Sequence, residues 1–415
     1  MLTKYRPVVM VCLRKIILCV GSLLIFSTGF SQEFYFPGKQ QKQSIAFKCI
    51  KNLIIIPVLV NGKGPYDFVL DTGVGPMIIT DPSIIGSLDF STLRKIKVSG
   101  LGIEVVEAYI SQNISAEIGR AKIDRIPTAI LKEDLFNLSG HLGIRVYGLI
   151  GYNFFNSFMV DIRYSENKIV FRNYDSKIKY RGSKIPIQID NQKPYVLADI
   201  ELPELGKVQG KFLMDTGASH ALSLEMFGGG EFPLPQKKIK ANLGMSLSGQ
   251  IKGYVGRISK FYIGKFVFKD IISGFPDYET IAKKIDLNVR NGNLGAEILR
   301  KFNIQFNYKE EFMYIKPNSG SKLPFEHDMV GMVIYLDQGE YKHFIIGEID
   351  ENSPAERAGL CTFDEIIGVN FRSIDTYTLN DLTELFKSKA DRSIIFEIYR
   401  DKKVIFKVVR LEKRI

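Results

Sequence analysis

Two stretches of this chain decide its fold: Phe68-Val69-Leu70-Asp71-Thr72-Gly73 and Phe212-Leu213-Met214-Asp215-Thr216-Gly217. Each is an apolar run that ends in Asp-Thr-Gly, a pattern that predicts a buried strand followed by a turn. The aspartate at its end lies at the rim of a hydrophobic core, where a carboxylate is costly unless it has a partner. Because both aspartates occupy the same setting, Asp71 and Asp215 are predicted to be each other's partner.

The repeat extends beyond these two stretches. The aspartates are 215 − 71 = 144 residues apart, and the same offset relates Gly151 of Leu149-Ile150-Gly151 to Gly295 of Asn293-Leu294-Gly295. Each copy therefore has a hydrophobic-Gly element 80 residues after its aspartate, since 151 − 71 = 295 − 215 = 80. The strand-like segments 158–164 and 302–308 keep the offset of 144 as well. Landmarks that recur in register indicate a duplicated lobe.

The pattern resembles a known family of enzymes. An apolar strand ending in Asp-Thr-Gly, followed later by hydrophobic-hydrophobic-Gly, is similar to the aspartic proteases of the pepsin and retropepsin group. The resemblance covers residues 32–317 and implies two similar β-rich lobes, 32–178 and 179–317, that form a cleft. Each lobe would give one aspartate, Asp71 or Asp215, to a shared catalytic site.

The residues that follow each aspartate have roles in the resembled family. Gly73 and Gly217 would turn the backbone tightly and present an amide N–H near the carboxylate. Thr72 and Thr216 would hydrogen-bond across to the opposite lobe. The next residues are a valine and an alanine, which cannot hydrogen-bond a carboxylate, so the chain resembles retropepsins more than pepsins.

Paired aspartates suit the hydrolysis of peptide bonds. Two carboxyl groups about 3 Å apart cannot both ionise and so share one proton, as in aspartic proteases generally. The ionised member would activate water as a general base, and the protonated member would hydrogen-bond the substrate carbonyl. Because the proton belongs to the pair, the sequence does not assign Asp71 or Asp215 to either role. No cofactor and no metal is expected, since the histidines are scattered: His141, His220, His327 and His343.

Glycine-containing turns interrupt the strand pattern of each lobe. Ser99-Gly100-Leu101-Gly102 lies in the first lobe, and Leu243-Gly244-Met245-Ser246, continuing to Ser248-Gly249, lies in the second. In the resembled family a β-hairpin flap covers the cleft, and these hairpins are the candidates for it. The alternative is an ordinary surface hairpin at each position.

The N-terminus is predicted to be a targeting segment. Its basic residues, Lys4, Arg6, Arg14 and Lys15, precede an apolar stretch at 16–26, which is the order found in a secretory signal peptide. Residues 1–31 are therefore expected to direct export, to a periplasm or out of the cell, and an uncleaved segment would tether the protein to a membrane. Removing these four charges lowers the net charge from +11 to +7, without a basic run that would indicate nucleic-acid binding.

The C-terminal part, which follows a linker at 318–324, differs in character. The stretch Ser353-Pro354-Ala355-Glu356-Arg357-Ala358-Gly359-Leu360, followed by Asp364-Glu365-Ile366-Ile367, is similar to a bacterial PDZ domain, although that family usually has Gly where this chain has Phe363. The resemblance implies a small α+β domain at 325–415 that captures the extended C-terminal tail of a partner. Four residues would form its binding loop and strand: Gly331, Met332, Val333 and Ile334. The alternative is a groove filled by the chain's own residues.

The expected fold is mainly β, with two similar acid-protease-like β lobes forming a cleft, followed by the small α+β PDZ-like domain. The function hypothesis is an exported aspartic endopeptidase that acts on peptide or protein substrates. Two alternatives stay open. The chain could be a non-catalytic peptide-binding protein that keeps the protease fold, or its lobes could be separate units whose aspartates need partners from another chain. Val74 and Asn293 are the departures from the family pattern that weaken the case for catalysis.

Overall fold

The computed structural model describes residues 33–86, 89–99, 105–134, 136–202, 205–246, 249–282, 290–339 and 342–415. The predicted signal segment lies outside these ranges, as do the Gly100-Leu101-Gly102 turn of the first hairpin and Ser248 in the second. The described residues form a mainly β structure, which confirms the predicted fold class. None of the helices in these ranges is long and apolar enough to cross a membrane.

The first half of the chain, residues 33–178, has eleven strands among its described residues, and eight of them form one sheet. Its strands are β1 Lys42–Ala46, β2 Lys48–Ile50, β3 Leu53–Val60, β4 Lys63–Leu70, β5 Met77–Ile79, β6 Arg94–Ser99, β7 Val105–Ile118, β8 Ala121–Leu131, β9 Gly148–Ile150, β10 Met159–Arg163 and β11 Lys168–Arg172, and its α-helices are α1 Leu138–Leu142 and α2 Tyr152–Ser157. Short 3-10 helices lie at Pro82–Ile85, Phe90–Thr92 and Tyr164–Glu166. The sheet order is β2-β3-β4-β9-β5-β8-β7-β6. Strand β3 is apolar throughout, and six of its eight residues are buried.

The second half, residues 179–317, repeats this sheet. Its strands are β12 Ser183–Pro186, β13 Gln188–Asp190, β14 Lys193–Leu202, β15 Gly206–Asp215, β16 Leu222–Leu224, β17 Met226–Phe227, β18 Gly230–Glu231, β19 Lys238–Ser246, β20 Gly249–Ile263, β21 Phe266–Pro276, β22 Gly292–Gly295, β23 Phe302–Asn307 and β24 Phe312–Pro317, and its helices are α3 Tyr278–Ala282 and α4 Ala296–Leu299. The order β13-β14-β15-β22-β16-β21-β20-β19 matches the first sheet strand for strand. In both sheets the strand that leads to the aspartate pairs in parallel with the strand of the hydrophobic-Gly element: β4 with β9, and β15 with β22.

A third sheet joins the two halves. Its order is β1-β11-β10-β23-β24-β12, so three strands come from each half. At its centre Asp161 of β10 pairs antiparallel with Gln305 of β23, and these two residues are 305 − 161 = 144 positions apart. Because equivalent residues face each other there, the two halves are related by a local two-fold axis that passes between β10 and β23.

One hydrophobic core runs through both halves beneath this axis. Phe155 of the first half packs 5.4 Å from Phe306 and 5.4 Å from Tyr308 of the second, measured between ring centroids. Phe155 and Phe306 are completely buried. Burial of an aromatic side chain of this size contributes about 1.5–3 kcal/mol. The contact therefore holds the two halves in one orientation.

The C-terminal unit is a separate sheet with its own core. Its strands are β25 Met332–Gln338, β26 Lys342–Ile349, β27 Glu365–Val369, β28 Arg372–Ser373, β29 Ser393–Arg400 and β30 Lys403–Arg410, and its α-helices are α5 Pro354–Arg357 and α6 Leu379–Phe386. The order is β25-β26-β27-β29-β30, with β28 paired to β27. Thr378 caps α6 in a reciprocal capping box with Asp381, and the helix buries Leu379, Leu382 and Phe386. These buried residues belong to a hydrophobic core of the C-terminal unit, which is distinct from the core shared by the first and second halves.

The C-terminal unit contacts the rest of the protein through several elements, and residues 33–415 form one compact unit. Helix α1 of the first half packs against β25, and the rings of His141 and Tyr335 lie 6.2 Å apart. Glu348 of β26 accepts hydrogen bonds from Asn242 (2.6 Å) and Gln250, which lie on the β19–β20 hairpin. The unit is therefore fastened to both halves of the molecule.

Candidate active site

The two aspartates meet between the two halves. Asp71 directly follows β4 and Asp215 ends β15, and the two side chains are close enough that the charge of Asp215 raises the pKa of Asp71. A Cβ atom added at Gly73 would lie 3.1 Å from the Cγ atom of Asp215, and one added at Gly217 would overlap the carboxyl group of Asp71. Each Asp-Thr-Gly turn therefore carries glycine at the position where the carboxyl group of the other half approaches the backbone.

The backbone of each turn also supports its own aspartate. The N–H of Gly73 donates to Oδ1 of Asp71 over 2.6 Å, and the N–H of Gly217 donates to Oδ1 of Asp215 over 2.8 Å. A hydrogen bond from a fixed amide holds the carboxyl plane in one orientation. The orientation of both acids is thus set by the local turn.

The two threonines lock the turns together. The Oγ1 hydroxyl of Thr72 donates to the carbonyl of Met214 (2.6 Å), and that of Thr216 donates to the carbonyl of Leu70 (2.8 Å). Each hydroxyl also accepts a bond from the backbone N–H of the other threonine, over 3.0 and 3.1 Å. Both side chains are completely buried. These four bonds obey the two-fold symmetry and keep the aspartates at a fixed separation.

The hydrophobic-Gly elements pack against the two Asp-Thr-Gly turns. The N–H of Asp71 donates to the carbonyl of Ile150 over 2.9 Å. A Cβ atom at Gly151 would overlap the carbonyl oxygen of Asp71, and one at Gly295 would overlap that of His220. Glycine is needed at both positions because the following backbone passes directly against the aspartate loop.

The surroundings of the two aspartates are not symmetric. Asn293 of β22 donates from Nδ2 to Oδ2 of Asp215 over 2.7 Å. Its counterpart in β9 is Leu149, since 293 − 149 = 144, and leucine has no donor. Asn293 interrupts the hydrophobic-Gly pattern, and sequence reasoning recorded it only as a departure. The signal that could have identified its role is its position beside the strand that carries Asp215.

Burial sets the protonation of Asp71. This side chain is only 7% exposed, whereas Asp215 is partly exposed. Burial raises the pKa of Asp71 well above its usual value, and the charge of Asp215 raises it further. The amide of Gly73 and the more distant Lys193 act in the opposite direction.

Sequence reasoning missed the charged pair of Arg290 and Glu225 near Asp215, and it named His220 only as one of four scattered histidines. Arg290 forms a buried two-bond ion pair with Glu225, with N–O distances of 2.7 and 3.0 Å. His220 lies near Asp215, and burial lowers its pKa although the charge of Asp215 opposes this. The Nε2 atom of His220 is buried without a hydrogen-bond partner among the described residues. The second aspartate therefore sits in the more polar environment.

The predicted peptide-binding loop of the C-terminal unit is filled by a carboxylate of the chain itself. The backbone N–H groups of Val330 and Gly331 donate to the side chain of Asp328 over 3.2 and 2.6 Å. Burial raises the pKa of Asp328 to about 6. Arg414, which pairs with Asp350 over 2.6 Å, lies beside Gly331. Sequence reasoning did not identify Asp328.

The strand that follows this loop is also covered. Met332 and Ile334 face the core of the C-terminal unit, and Val333 between them is half-buried. Strand β25 is an edge strand, with β26 on one side only, and α1 packs against it. The residues predicted to bind a peptide thus have two contacts within the chain, the bonds to Asp328 at the loop and the packing of α1 against β25.

Comparison with known proteins matches part of the chain to a protease family. Residues 56–154 match a family model described as Aspartyl protease. The matched segment contains Asp71-Thr72-Gly73 and Leu149-Ile150-Gly151, and it ends before the second Asp-Thr-Gly. The match supports a proteolytic function at the level of the family. Within the described ranges, no group of three or more His, Cys, Asp or Glu side chains is placed to hold a metal ion.

Proposed function

We propose that this protein is an exported aspartic endopeptidase in which Asp71 and Asp215 of one chain activate water for peptide-bond hydrolysis. The observation that carries the proposal is the close approach of the two carboxyl groups: a Cβ atom added at Gly73 would lie 3.0 Å from Oδ1 of Asp71 and 3.1 Å from Cγ of Asp215. The symmetric hydrogen bonds of Thr72 and Thr216 hold the two turns in this arrangement. Two acids in contact at a partly buried site share one proton, which gives a base and an acid in the same place.

The reaction follows from this shared proton. The charged carboxylate takes one proton from a bound water while the water oxygen bonds to the carbonyl carbon of the substrate. The protonated carboxyl gives its proton to the carbonyl oxygen, which forms a neutral gem-diol. The C–N bond then breaks as the nitrogen takes the proton that the first carboxylate had removed from water. A gem-diol hydroxyl gives its proton to the carboxyl group that had protonated the carbonyl oxygen. The net change is addition of one water across the peptide bond, and the pair ends with the single proton with which it began.

The symmetric frame supports catalysis by a pair within one chain. The Asp-Thr-Gly turns of both halves are complete, and each keeps the glycine that the opposing carboxyl group requires. The rival hypothesis, a peptide-binding protein without catalysis, has no need for a raised pKa at Asp71 or for amide donors aimed at both acids. A strongly shifted acid beside a second carboxyl group is typical of catalytic sites.

The test is digestion of a complex peptide library by the purified mature chain from acidic to neutral pH. Wild type is expected to cleave, with inhibition by pepstatin, while Asp71→Asn and Asp215→Asn each lose cleavage and stay folded. Asp161→Asn is the matched control, because Asp161 is also 7% exposed but lies in the sheet that joins the halves. Full activity in either active-site variant would exclude the shared pair, and no cleavage by wild type would favour the peptide-binding alternative.

The C-terminal unit is proposed to capture the free C-terminal tail of a substrate or partner protein. A tail would add to the edge of β25 and place its carboxylate where the carboxylate of Asp328 now accepts two backbone bonds. Binding therefore requires that Asp328 leave the loop and that α1, which packs against β25, give way to the tail. Deleting the unit is a poor test, because the deletion would also expose α1 and the β19–β20 hairpin.

A substitution at Asp328 tests this capture directly. Asp328→Ala frees the N–H groups of Val330 and Gly331, so labelled peptides with a free C-terminus should bind more tightly in fluorescence anisotropy. Asp328→Asn is the intermediate variant, because its single amide oxygen accepts only one of the two bonds, so its binding should fall between that of wild type and that of Asp328→Ala. In wild type, binding should strengthen as pH falls through about 6, because a neutral carboxyl is a weaker acceptor and the tail stays ionised. Equal binding of free and amidated tails by Asp328→Ala would contradict the proposal.

A further inference from the structure

The two halves differ at one position that touches the reacting acids. Register places Leu149 beside Val69 in the first sheet and Asn293 beside Leu213 in the second, so the two residues are equivalent in space as well as in sequence. Leu149 belongs to a buried apolar cluster that includes Val74. Asn293, which is 3% exposed, instead donates to Oδ2 of Asp215 over 2.7 Å.

This donor distinguishes the hydrogen bonding of the two carboxyl groups. Asp215 accepts from the amide of Gly217 at one oxygen and from Asn293 at the other, so both oxygens have a fixed donor. Asp71 has the amide of Gly73 but a leucine where the second donor would stand. Hydrogen bonds donated to a carboxylate stabilise its charged form, and the effect is larger for charged acceptors than for neutral ones.

The orientation of Asn293 supports the same conclusion. Its Oδ1 atom is buried and has no hydrogen-bond partner among the described residues. Leaving the side-chain carbonyl of Asn293 buried and unpaired costs free energy. The amide keeps this orientation because a strong bond from its Nδ2 offsets that cost. A bond to a charged carboxylate meets that requirement better than a bond to a neutral acid.

The wider charge distribution agrees. Asp215 lies near the positive charge of Arg290, although Glu225 largely balances that charge. It also lies near His220, whose imidazole is neutral because burial lowers its pKa. Lys193 lies near both acids. Among the described residues, Tyr308, a buried phenol, is another titratable group near Asp71. None of these groups favours charge on Asp71 over charge on Asp215.

We propose that Asn293 is a positioning residue that keeps Asp215 as the charged member of the pair, so that Asp71 carries the shared proton. Asp215 then takes the proton of the attacking water, and Asp71 protonates the carbonyl oxygen. When the C–N bond breaks, Asp215 returns its proton to the nitrogen and the gem-diol hydroxyl restores the proton of Asp71. The roles of the two acids are thus assigned by a residue that does not touch the substrate.

The proton can be located without any activity. Wild-type protein labelled with ¹³C at aspartate Cγ is observed by NMR, and the resonances are assigned from Asp71→Asn and Asp215→Asn. At mildly acidic pH, Asp71 is expected to show the chemical shift of a protonated acid and Asp215 that of a carboxylate. The reverse assignment would overturn the inference.

The kinetic experiment exchanges the two residues, and it rests on the proposed peptidase activity. Asn293→Leu removes the donor, so the acid limb of the kcat/KM profile should move up by about one to two pH units, the equivalent of one charged hydrogen bond. KM should change little. Adding Leu149→Asn supplies a donor to Asp71 instead and should move the limb back toward its wild-type position, with the two NMR assignments exchanged.

These outcomes separate the inference from the proposed function. An active wild type whose acid limb coincides with that of Asn293→Leu would overturn the inference and leave the peptidase standing. A wild type that cleaves nothing would overturn the peptidase, while the NMR assignment would still decide where the proton lies. Thermal unfolding of each variant shows whether it is folded. If Asn293→Leu does not fold, the ¹³C NMR spectrum of the wild type decides the inference.

Discussion

Asp71 and Asp215 are held by the same backbone hydrogen bonds, yet the side chains around them differ. Each accepts from the glycine two residues later, and each turn is joined to the other by its threonine. Beyond these bonds, the first half surrounds its aspartate with apolar residues, and the second half places Asn293 and His220 near its own. The comparison teaches that the duplicated backbone fixes where the acids meet, while unshared side chains set their chemistry.

A second difference between the halves concerns the burial of an ion pair that each half contains. The ion pair of Asp81 with Arg145 in the first half has a counterpart in that of Glu225 with Arg290 in the second, since the acids are 225 − 81 = 144 residues apart and the arginines 290 − 145 = 145. The side chain of Arg145 is 63% exposed and that of Arg290 is 11% exposed. The same pairing is therefore a surface feature in one half and a buried feature in the other.

The largest expected effect concerns the glycines that face the opposite carboxyl group. A Cβ atom at Gly217 would overlap the Asp71 carboxyl group, whereas one at Gly73 would stand 3.1 Å from that of Asp215. Gly217→Ala should lower kcat/KM by about 100-fold, because a shift of about 1 Å in a catalytic group has that cost. Gly73→Ala should retain more activity. Equal losses would show that the two turns tolerate a methyl group equally.

The buried ion pair should dominate stability. Glu225→Gln leaves the charge of Arg290 buried without a counter-charge, so urea unfolding should show a loss of about 3–5 kcal/mol. Asp81→Asn removes the equivalent exposed pair and should cost less than about 1 kcal/mol. A similar cost for both variants would mean that burial does not distinguish the two pairs.

The smallest expected effect tests the symmetric part of the molecule. Thr72→Val and Thr216→Val each remove a buried hydroxyl and leave a carbonyl unpaired, so each should reduce the free energy of unfolding by about 1–3 kcal/mol. The double variant should lose less than the sum, because the two hydroxyls share one network. Thr128→Val serves as the control, since Thr128 is equally buried but bonds only to the nearby carbonyl of Ile126. Unequal losses at the two threonines would show that the network itself is asymmetric.

Much of the architecture was predictable because it repeats. The offset of 144 residues placed both aspartates, both hydrophobic-Gly elements and the strand-like segments 158–164 and 302–308 in register, while the pairing of β10 with β23 is known only from the structure. The pattern of the last residues predicts a helix at 378–389 and paired strands at 394–400 and 403–410. Strands β29 and β30 match, while α6 ends at Phe386, since residues 387–388 form a turn whose N–H groups bond back to Glu384 and Leu385. Phe325 was assigned to the C-terminal unit, but it packs 6.1 Å from Phe268 of the second half.

The sequence by itself determined a duplicated, mainly β protein with one aspartate at the end of a buried strand in each copy, because hydrophobic period and repeat spacing are local properties of the chain. Only the tertiary structure decided what touches those aspartates. The bond from Asn293 to Asp215, the burial of Arg290 with Glu225 and the occupation of the C-terminal loop by Asp328 all depend on how separate elements pack. Protonation follows from burial and from neighbours in space, and neither can be read from the order of residues.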